Sequence, residues 1–106
     1  MRQGSGSVDF GGVGEMMLLE IEGERIRSEN DFHLLMKERL DFPDYYGMNL
    51  NAFWDMMYPL PVDNLRIIWK NFSASKLGIG DDVKYIIGIF NDLKEIEPNF
   101  DCQLID

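Results

Sequence analysis

The chain is organised around residues 44–55, which read Asp44-Tyr45-Tyr46-Gly47-Met48-Asn49-Leu50-Asn51-Ala52-Phe53-Trp54-Asp55. Gly47 can adopt a positive φ at no steric cost, so it can turn the chain sharply after the two tyrosines. Asn49 is a good N-cap residue for a helix that begins at Leu50. The pattern therefore predicts a turn followed by a short helix over about residues 50–58.

The predicted helix has two different faces. Leu50, Phe53 and Met57 recur at helical spacing and form an apolar stripe that would face a core. A second set with the same spacing lies on the opposite face: Asn51, Trp54, Asp55 and Tyr58. Tryptophan and tyrosine are enriched at interface hot spots, and a neighbouring carboxylate can orient a cationic partner. We interpret this second face as a protein-binding face, although a tryptophan at this position can also serve as scaffold.

A longer motif in the same region resembles a known family. The run PxYYGxNLxAxWD, formed by Pro43 and residues 45–55, resembles the barstar family of intracellular ribonuclease inhibitors. The similarity extends from about residue 17 to residue 105, and it includes Gly-Glu-x-Ile-Arg-Ser at 23–28 and Trp69-Lys70-Asn71-Phe72 at the end of a strand. The resemblance implies a two-layer α/β fold in which a three-stranded parallel sheet packs against about four helices.

The resemblance also implies roles for individual residues. In the family, the loop and the second helix plug the active site of a small basic ribonuclease, and a helix aspartate, matched here by Asp55, replaces a substrate phosphate. Tyr45 and Trp54 match a family tyrosine and tryptophan, and Asp92 matches an outlying acidic contact. The family usually has aspartate at the position of Asn51. This difference mainly affects the identity of the target enzyme. The expected partner-binding residues are Tyr45, Gly47, Asn49, Asn51, Trp54, Asp55, Asp92, Asp44 and Tyr58.

Length and composition indicate one small domain. A chain of 106 residues can bury a single core. Residues 1–15 are rich in Gly and Ser, so we expect a flexible tail, natural or added as a linker, before a domain over 16–106. No stretch approaches the roughly 18 apolar residues of a membrane helix, and the N-terminus lacks the apolar core of a signal peptide. The expected location is the cytoplasm, with no membrane partner.

The charge balance favours a basic protein as partner. Nineteen acidic residues against ten basic ones give a formal net charge of -9. This sign repels nucleic acid and attracts basic proteins, although an acidic balance also keeps ordinary cytosolic proteins soluble. Together with the aromatic and acidic face, the negative net charge supports an inhibitor role. An inhibitor of an RNA-binding enzyme should resemble the polyanion that it displaces.

The lone cysteine and the lone histidine argue against thiol catalysis and metal binding. Cys102 excludes an intramolecular disulfide framework, and its flanks predict a strand that holds a buried structural thiol. His33 lies beside Leu34 inside a predicted helix, so we expect a partly buried or surface histidine. With these two residues alone, a His/Cys metal site is excluded, and no cofactor is expected.

Hydrophobic patterning predicts strands that alternate with pairs of helices. The two isoleucines 67 and 68 predict that the middle strand is buried on both faces. If the strands lie in chain order, both right-handed crossovers place their helices on one side of the sheet. The predicted strands are 17–22, 65–69 and 100–105, and the predicted helices are 29–40, 50–58, 71–77 and 81–96.

Single residues refine this outline. Ser28 is expected to cap the first helix, with Asp31 completing a variant of the capping box. Asn71 or Ser73 is expected to cap the third helix. Gly88, inside the last helix, costs about 1 kcal/mol relative to alanine and is interpreted as a point of close packing.

Three functions are consistent with these patterns. The first is an inhibitor or immunity protein that neutralises a ribonuclease, as monomer or as weak dimer through Trp54 and Tyr58. The second is a binding module for a basic protein that is not a nuclease. The third is a small hydrolase using the pair Asp81 and Asp82 or the pair Asp55 and Asp92, but no phosphate loop, nucleophile elbow or HExxH pattern occurs. The expectation is therefore a protein that is not an enzyme.

Overall fold

The computed structural model describes residues 17–106, and it contains one three-stranded sheet. The proposed tail, residues 1–15, lies outside the described residues. Strands β1 (Met17–Glu22), β2 (Leu65–Lys70) and β3 (Asp101–Leu104) pair in parallel in the order β1-β2-β3. This confirms the small parallel sheet and its strand order.

Two pairs of helices connect the strands. Helices α1 (Glu29–Leu40) and α2 (Leu50–Met57) lie between β1 and β2, and helices α3 (Phe72–Ile79) and α4 (Val83–Ile96) lie between β2 and β3. Short 3-10 turns precede α1, β2 and α4. The predicted α/β architecture is confirmed, and the helix boundaries agree to within two residues.

The core lies between the helices and one face of the sheet. Phe32 of α1 is at its centre, because its ring stacks on Trp69 of β2 at 5.3 Å and meets the edge of Phe53 of α2 at 5.2 Å. Such aromatic contacts add roughly 0.5–1.5 kcal/mol each to the gain from burial. The largest fully buried side chains are Trp69, Phe32, Phe53, Phe100, Leu19, Ile21, Met36, Met57, Leu65, Ile67, Ile86 and Leu93.

The opposite face of the sheet is open, which corrects the prediction that β2 is buried on both faces. Ile68 is half-buried, and Arg66 and Lys70 beside it are exposed. Lys70 pairs with Glu20 of β1 at 3.5 Å, and Arg66 pairs with Asp101 of β3 at 3.4 Å. Ion pairs occupy this face because both crossovers place their helices on the other side. We call it the open sheet face.

The predicted N-cap of α1 is confirmed, but the second hydrogen bond of the capping box comes from a different backbone N–H group. The backbone N–H of Asp31 donates to the Ser28 hydroxyl oxygen at 3.1 Å. The Asp31 carboxylate accepts from the backbone N–H of Arg27 at 3.0 Å, one residue before the usual position. The cap still satisfies two backbone donors, so α1 begins where the sequence predicts.

The cap of α3 differs from the prediction. Asn71 occupies the N-cap position at φ 51°, but its side chain donates to the Glu22 carboxylate at 2.6 Å. The backbone N–H and the hydroxyl of Ser73 instead donate to the Asp106 carboxylate at 2.7 and 2.6 Å. These two hydrogen bonds lower the pKa of Asp106. A residue that is remote in sequence thus caps this helix.

Candidate functional site

The loop between α1 and α2 turns at a residue other than the predicted glycine. Met48, with φ 57°, is the left-handed residue, and Gly47 does not have a positive φ. The predicted positive φ at Gly47 is therefore wrong. A Cβ at Gly47 would lie 3.2 Å from Asn49 Nδ2 and 3.3 Å from Ala52 Cβ. A side chain at position 47 would therefore press on the start of α2 and displace Asn49 or Ala52 by a few tenths of an ångström.

Asn49 fixes the start of α2 as predicted. The backbone N–H of Ala52 donates to Asn49 Oδ1 at 2.8 Å, and Asn49 Nδ2 donates to the carbonyl oxygen of Gly47 at 3.2 Å. An N-cap of this type is worth about 1 kcal/mol. Asn49 and Gly47 were both expected to touch a partner. Their contacts within the chain show that both build the turn before α2.

A buried hydrogen-bond network connects this loop to α1. The hydroxyl of Tyr46 lies 2.6 Å from His33 Nδ1, and His33 Nε2 lies 2.9 Å from the carboxylate of Glu29. Because a carboxylate only accepts, Nε2 donates to Glu29, and in the tautomer with its proton on Nε2 the Nδ1 atom accepts from Tyr46. His33 is fully buried, so the expectation of a partly buried or surface histidine is wrong. Burial, and secondarily the charge of Glu29, raise the pKa of Tyr46.

Helix α2 separates a buried stripe from an exposed one, as predicted. Phe53 and Met57 are fully buried, and Leu50 is half-buried at the helix start. The exposed side carries Asn51, Asp55 and Tyr58, and Trp54 lies half-buried with its ring centroid 5.5 Å from that of Tyr58. The buried stripe anchors the helix, so its exposed side chains are held in a fixed register.

Asp55 and Tyr45 are available to a partner. The Tyr45 ring is 81% exposed, and Asp55 is exposed. Within residues 17–106 the Asp55 carboxylate makes neither an ion pair nor a hydrogen bond. Asp44 approaches Lys37 at 3.9 Å, but its carboxylate is fully exposed, and such a pair contributes little. The loop and α2 therefore offer uncompensated negative charge beside aromatic rings.

A groove between α2 and α4 brings Asp92 together with two of the predicted site residues. Asn51 and Trp54 line one side of this groove, which has a volume of about 520 Å³, and Asp92 lies on the other. Four further residues of α4 line the groove and were not among the predicted site residues: Lys84, Tyr85, Gly88 and Ile89. The signal was available, because positions 84, 88 and 92 follow one another at helical spacing. We call this the α2/α4 groove.

Gly88 opens the groove, which corrects its interpretation as a point of close packing. A Cβ at this position would meet no atom within 4 Å. Glycine inside a helix costs about 1 kcal/mol relative to alanine, so it weakens α4 here without a packing benefit. Because Gly88 has no side chain, the floor of the groove beside Trp54 is open.

The remaining titratable groups do not form an enclosed reaction centre in the part of the chain that is described. Asp55, Asp92, Asp81 and Asp82 are exposed, so neither acidic pair considered for hydrolysis lies in a closed cleft. Burial, and to a lesser degree Asp101, raise the pKa of the half-buried Cys102 thiol to about 12. Between residues 17 and 106, no cluster of His, Cys, Asp and Glu is suited to a metal ion, and no helix is long and apolar enough to cross a membrane.

Comparison with known proteins identifies the family of this chain. The family model described as Barstar (barnase inhibitor) matches residues 16–104. The Bacillus subtilis (strain 168) protein named "Putative ribonuclease inhibitor YrdF" is 31% identical over 80 residues, which cover 76% of this chain and 88% of that protein. Matches of this extent establish the family, and the chain belongs to the barstar family, whose members are ribonuclease inhibitors and not enzymes.

Proposed function

We propose that this protein is an inhibitor or immunity protein that binds a small basic ribonuclease, or a ribonuclease toxin, and blocks its active site. The observation that carries the proposal is Asp55, an exposed carboxylate without a partner in the described residues, next to Trp54 on a rigid helix. Family membership supports the class of target. The proposal places the protein in the cytoplasm, where it would protect the RNA of its own cell.

In this proposal Asp55 occupies the site that binds the substrate phosphate. A ribonuclease holds that phosphate with basic and histidine side chains, and a carboxylate satisfies the same donors. Tyr45 and Trp54 pack around the contact and exclude water, which strengthens the charge interaction. Asn51 hydrogen bonds to the enzyme, and Asp44, Tyr58 and Asp92 extend the contact at the rim.

Two properties of the protein support tight and fast association. The loop is held by Asn49 and by the hydrogen bond of Tyr46 to His33, so little ordering remains to be done on binding. The net charge of -9 steers a basic enzyme toward the surface and repels RNA. The free protein is expected to be a monomer, or a weak dimer through Trp54 and Tyr58.

The test is a comparison of partner capture by the wild type and by Asp55→Ala. Removing one member of a buried interfacial charge pair costs about 2–5 kcal/mol, a range drawn from complexes that include one of this family. We expect affinity for a small basic protein with RNA-cleaving activity to fall roughly tenfold or more. Bound proteins are identified from a lysate of the source organism, and ribonuclease activity is measured after release.

The controls separate charge from shape and from fold. Asp55→Asn keeps the size of the side chain and removes its charge, so it should also lose binding. Glu20→Ala removes one acid from the open sheet face, 50% exposed on the side away from the helices, and should bind as the wild type does. Equal capture by Asp55→Ala and the wild type would refute the proposal. An Asp55-dependent partner that is basic but cleaves no RNA would favour the binding module for another basic protein.

A further inference from the structure

The α2/α4 groove differs in charge from the surface around Asp55. Lys84 and Asp92 lie on the same side of α4, eight residues and therefore about 12 Å apart along the helix. Asn51, which faces them from α2, is neutral. The formal charges of the groove therefore cancel, although the chain as a whole carries -9. A uniformly basic surface would not complement both ends of this groove.

Lys84 is free to meet a charge on a partner. Its ammonium lies 5.2 Å from the centroid of the Tyr85 ring, and Lys84 forms no salt bridge with any residue of the described chain. Both residues are exposed, and Tyr85 is 54% exposed. An exposed cation–π contact is weak, so it leaves the ammonium available for a carboxylate.

The middle of the groove can accept an apolar side chain. Gly88 leaves its floor open, and no atom lies within 4 Å of the position that a Cβ would take. Leu50 and Trp54 contribute apolar surface from α2, and Tyr85 and Ile89 contribute it from α4. Pockets of this kind, with aromatic walls and few polar groups, are typical of the places where interface anchors bind.

We propose that the α2/α4 groove is a second contact of the inhibitory surface and that it binds a partner segment in which an apolar side chain stands beside an acidic one. The apolar side chain lies over Gly88, and the acid pairs with Lys84. This inference rests on the proposed function and specifies the partner further. The target enzyme presents a basic centre to Asp55 and, beside it, a surface of mixed charge.

The first test reverses the charge at Lys84 and measures affinity for the captured partner. Lys84→Glu should weaken binding about tenfold or more, and Lys84→Gln should weaken it less. If the partner were basic here, Lys84→Glu would tighten binding, and that result would overturn the proposal. Lys70→Glu is the matched control, because it gives the same net charge from the open sheet face and should leave affinity nearly unchanged.

The second test fills the groove. Gly88→Leu places a side chain where the partner's apolar group would lie and should weaken binding about tenfold. Gly88→Ala adds only a methyl group and improves the helix, so it serves as a control that folds at least as well as the wild type. Affinity of both Gly88→Leu and Gly88→Ala equal to that of the wild type would show that nothing enters the groove.

The two proposals fail in different ways. If Asp55→Ala loses the ribonuclease but the Lys84 and Gly88 variants bind like the wild type, the groove proposal is wrong and the inhibitor proposal stands. If Asp55→Ala retains the ribonuclease, the inhibitor mechanism is wrong, and the groove variants are judged on that same enzyme. If the wild type captures a different Asp55-dependent partner, they are judged on that protein. If it captures no protein, both proposals fail.

Discussion

Two consecutive tyrosines lie in opposite environments. Tyr46 is 5% exposed, and its hydroxyl is bound to His33, whereas Tyr45 is 81% exposed and projects from the loop. The same residue type therefore stabilises the loop at one position and is available to a partner at the next. Which role applies is decided by the direction of the side chain.

The same division runs through α2. Phe53 lies in the core between Phe32 and Phe90, and Asp55, two positions later, faces solvent without a partner in the described residues. Substitutions on the buried side should change the free energy of unfolding, and substitutions on the exposed side should change the affinity. Each prediction below can break or sharpen this contrast.

The largest effect is expected at Phe53. Phe53→Ala removes ring contacts with Phe32 and Phe90 and leaves a cavity in the core, so it should lower the free energy of unfolding by about 3–5 kcal/mol. Tyr58→Ala, at the exposed end of α2, should lower it by about 1 kcal/mol or less. Urea denaturation followed by circular dichroism measures both. Similar losses in the two variants would contradict the division of α2.

A smaller effect is expected from the tyrosine hydroxyls. Tyr46→Phe leaves the buried Nδ1 of His33 without a donor, so it should lower the free energy of unfolding by about 1–3 kcal/mol. Tyr45→Phe removes the same atom from an exposed ring and should have an effect within about 0.5 kcal/mol. The two variants are compared under identical denaturation conditions. If Tyr46→Phe is as stable as Tyr45→Phe, the buried network does not support the loop.

The smallest effect is a dependence of the free energy of unfolding on pH, and it arises from the Cys102 thiol. Folding raises the pKa of Cys102 from 9.0 to about 12, so in alkaline solution the unfolded chain loses this proton before the folded one does. The stability from the protonated thiol is complete below pH 9 and declines as the pH rises toward 12. Unfolding measured at pH 8 and pH 10 should show a loss of about 1 kcal/mol from this group. Cys102→Ala should show a smaller loss, and an equal loss in both proteins would refute the assignment.

Local interactions could be predicted from the sequence. Ser28 and Asn49 cap their helices with neighbours three residues away, and the stripe of Phe53 and Met57 follows from helical periodicity. The motif around Asp55 was long enough to indicate the family. These features depend on residues that are close in the chain, so no knowledge of the tertiary packing was needed.

Features that depend on distant residues could not be predicted. His33 is buried because Tyr46 from the next loop supplies a hydrogen bond, and Ser73 is capped by Asp106 at the other end of the domain. Ile68 is half-buried because both helix pairs lie on the other side of the sheet. The position of Gly88 inside a helix suggests close packing, but no atom of α2 lies within 4 Å of the place that its Cβ would take. In each case the deciding partner lies far away in sequence.

The alternation of buried and exposed positions on α2 has an evolutionary consequence. Because Phe53 and Met57 hold the helix from one side, mutations at Asn51 and Asp55 on the other can be selected for a new target at little risk to folding. Under the proposed function, the protein could therefore change its specificity one side chain at a time. The buried side of α2 would stay the same while its exposed side chains change.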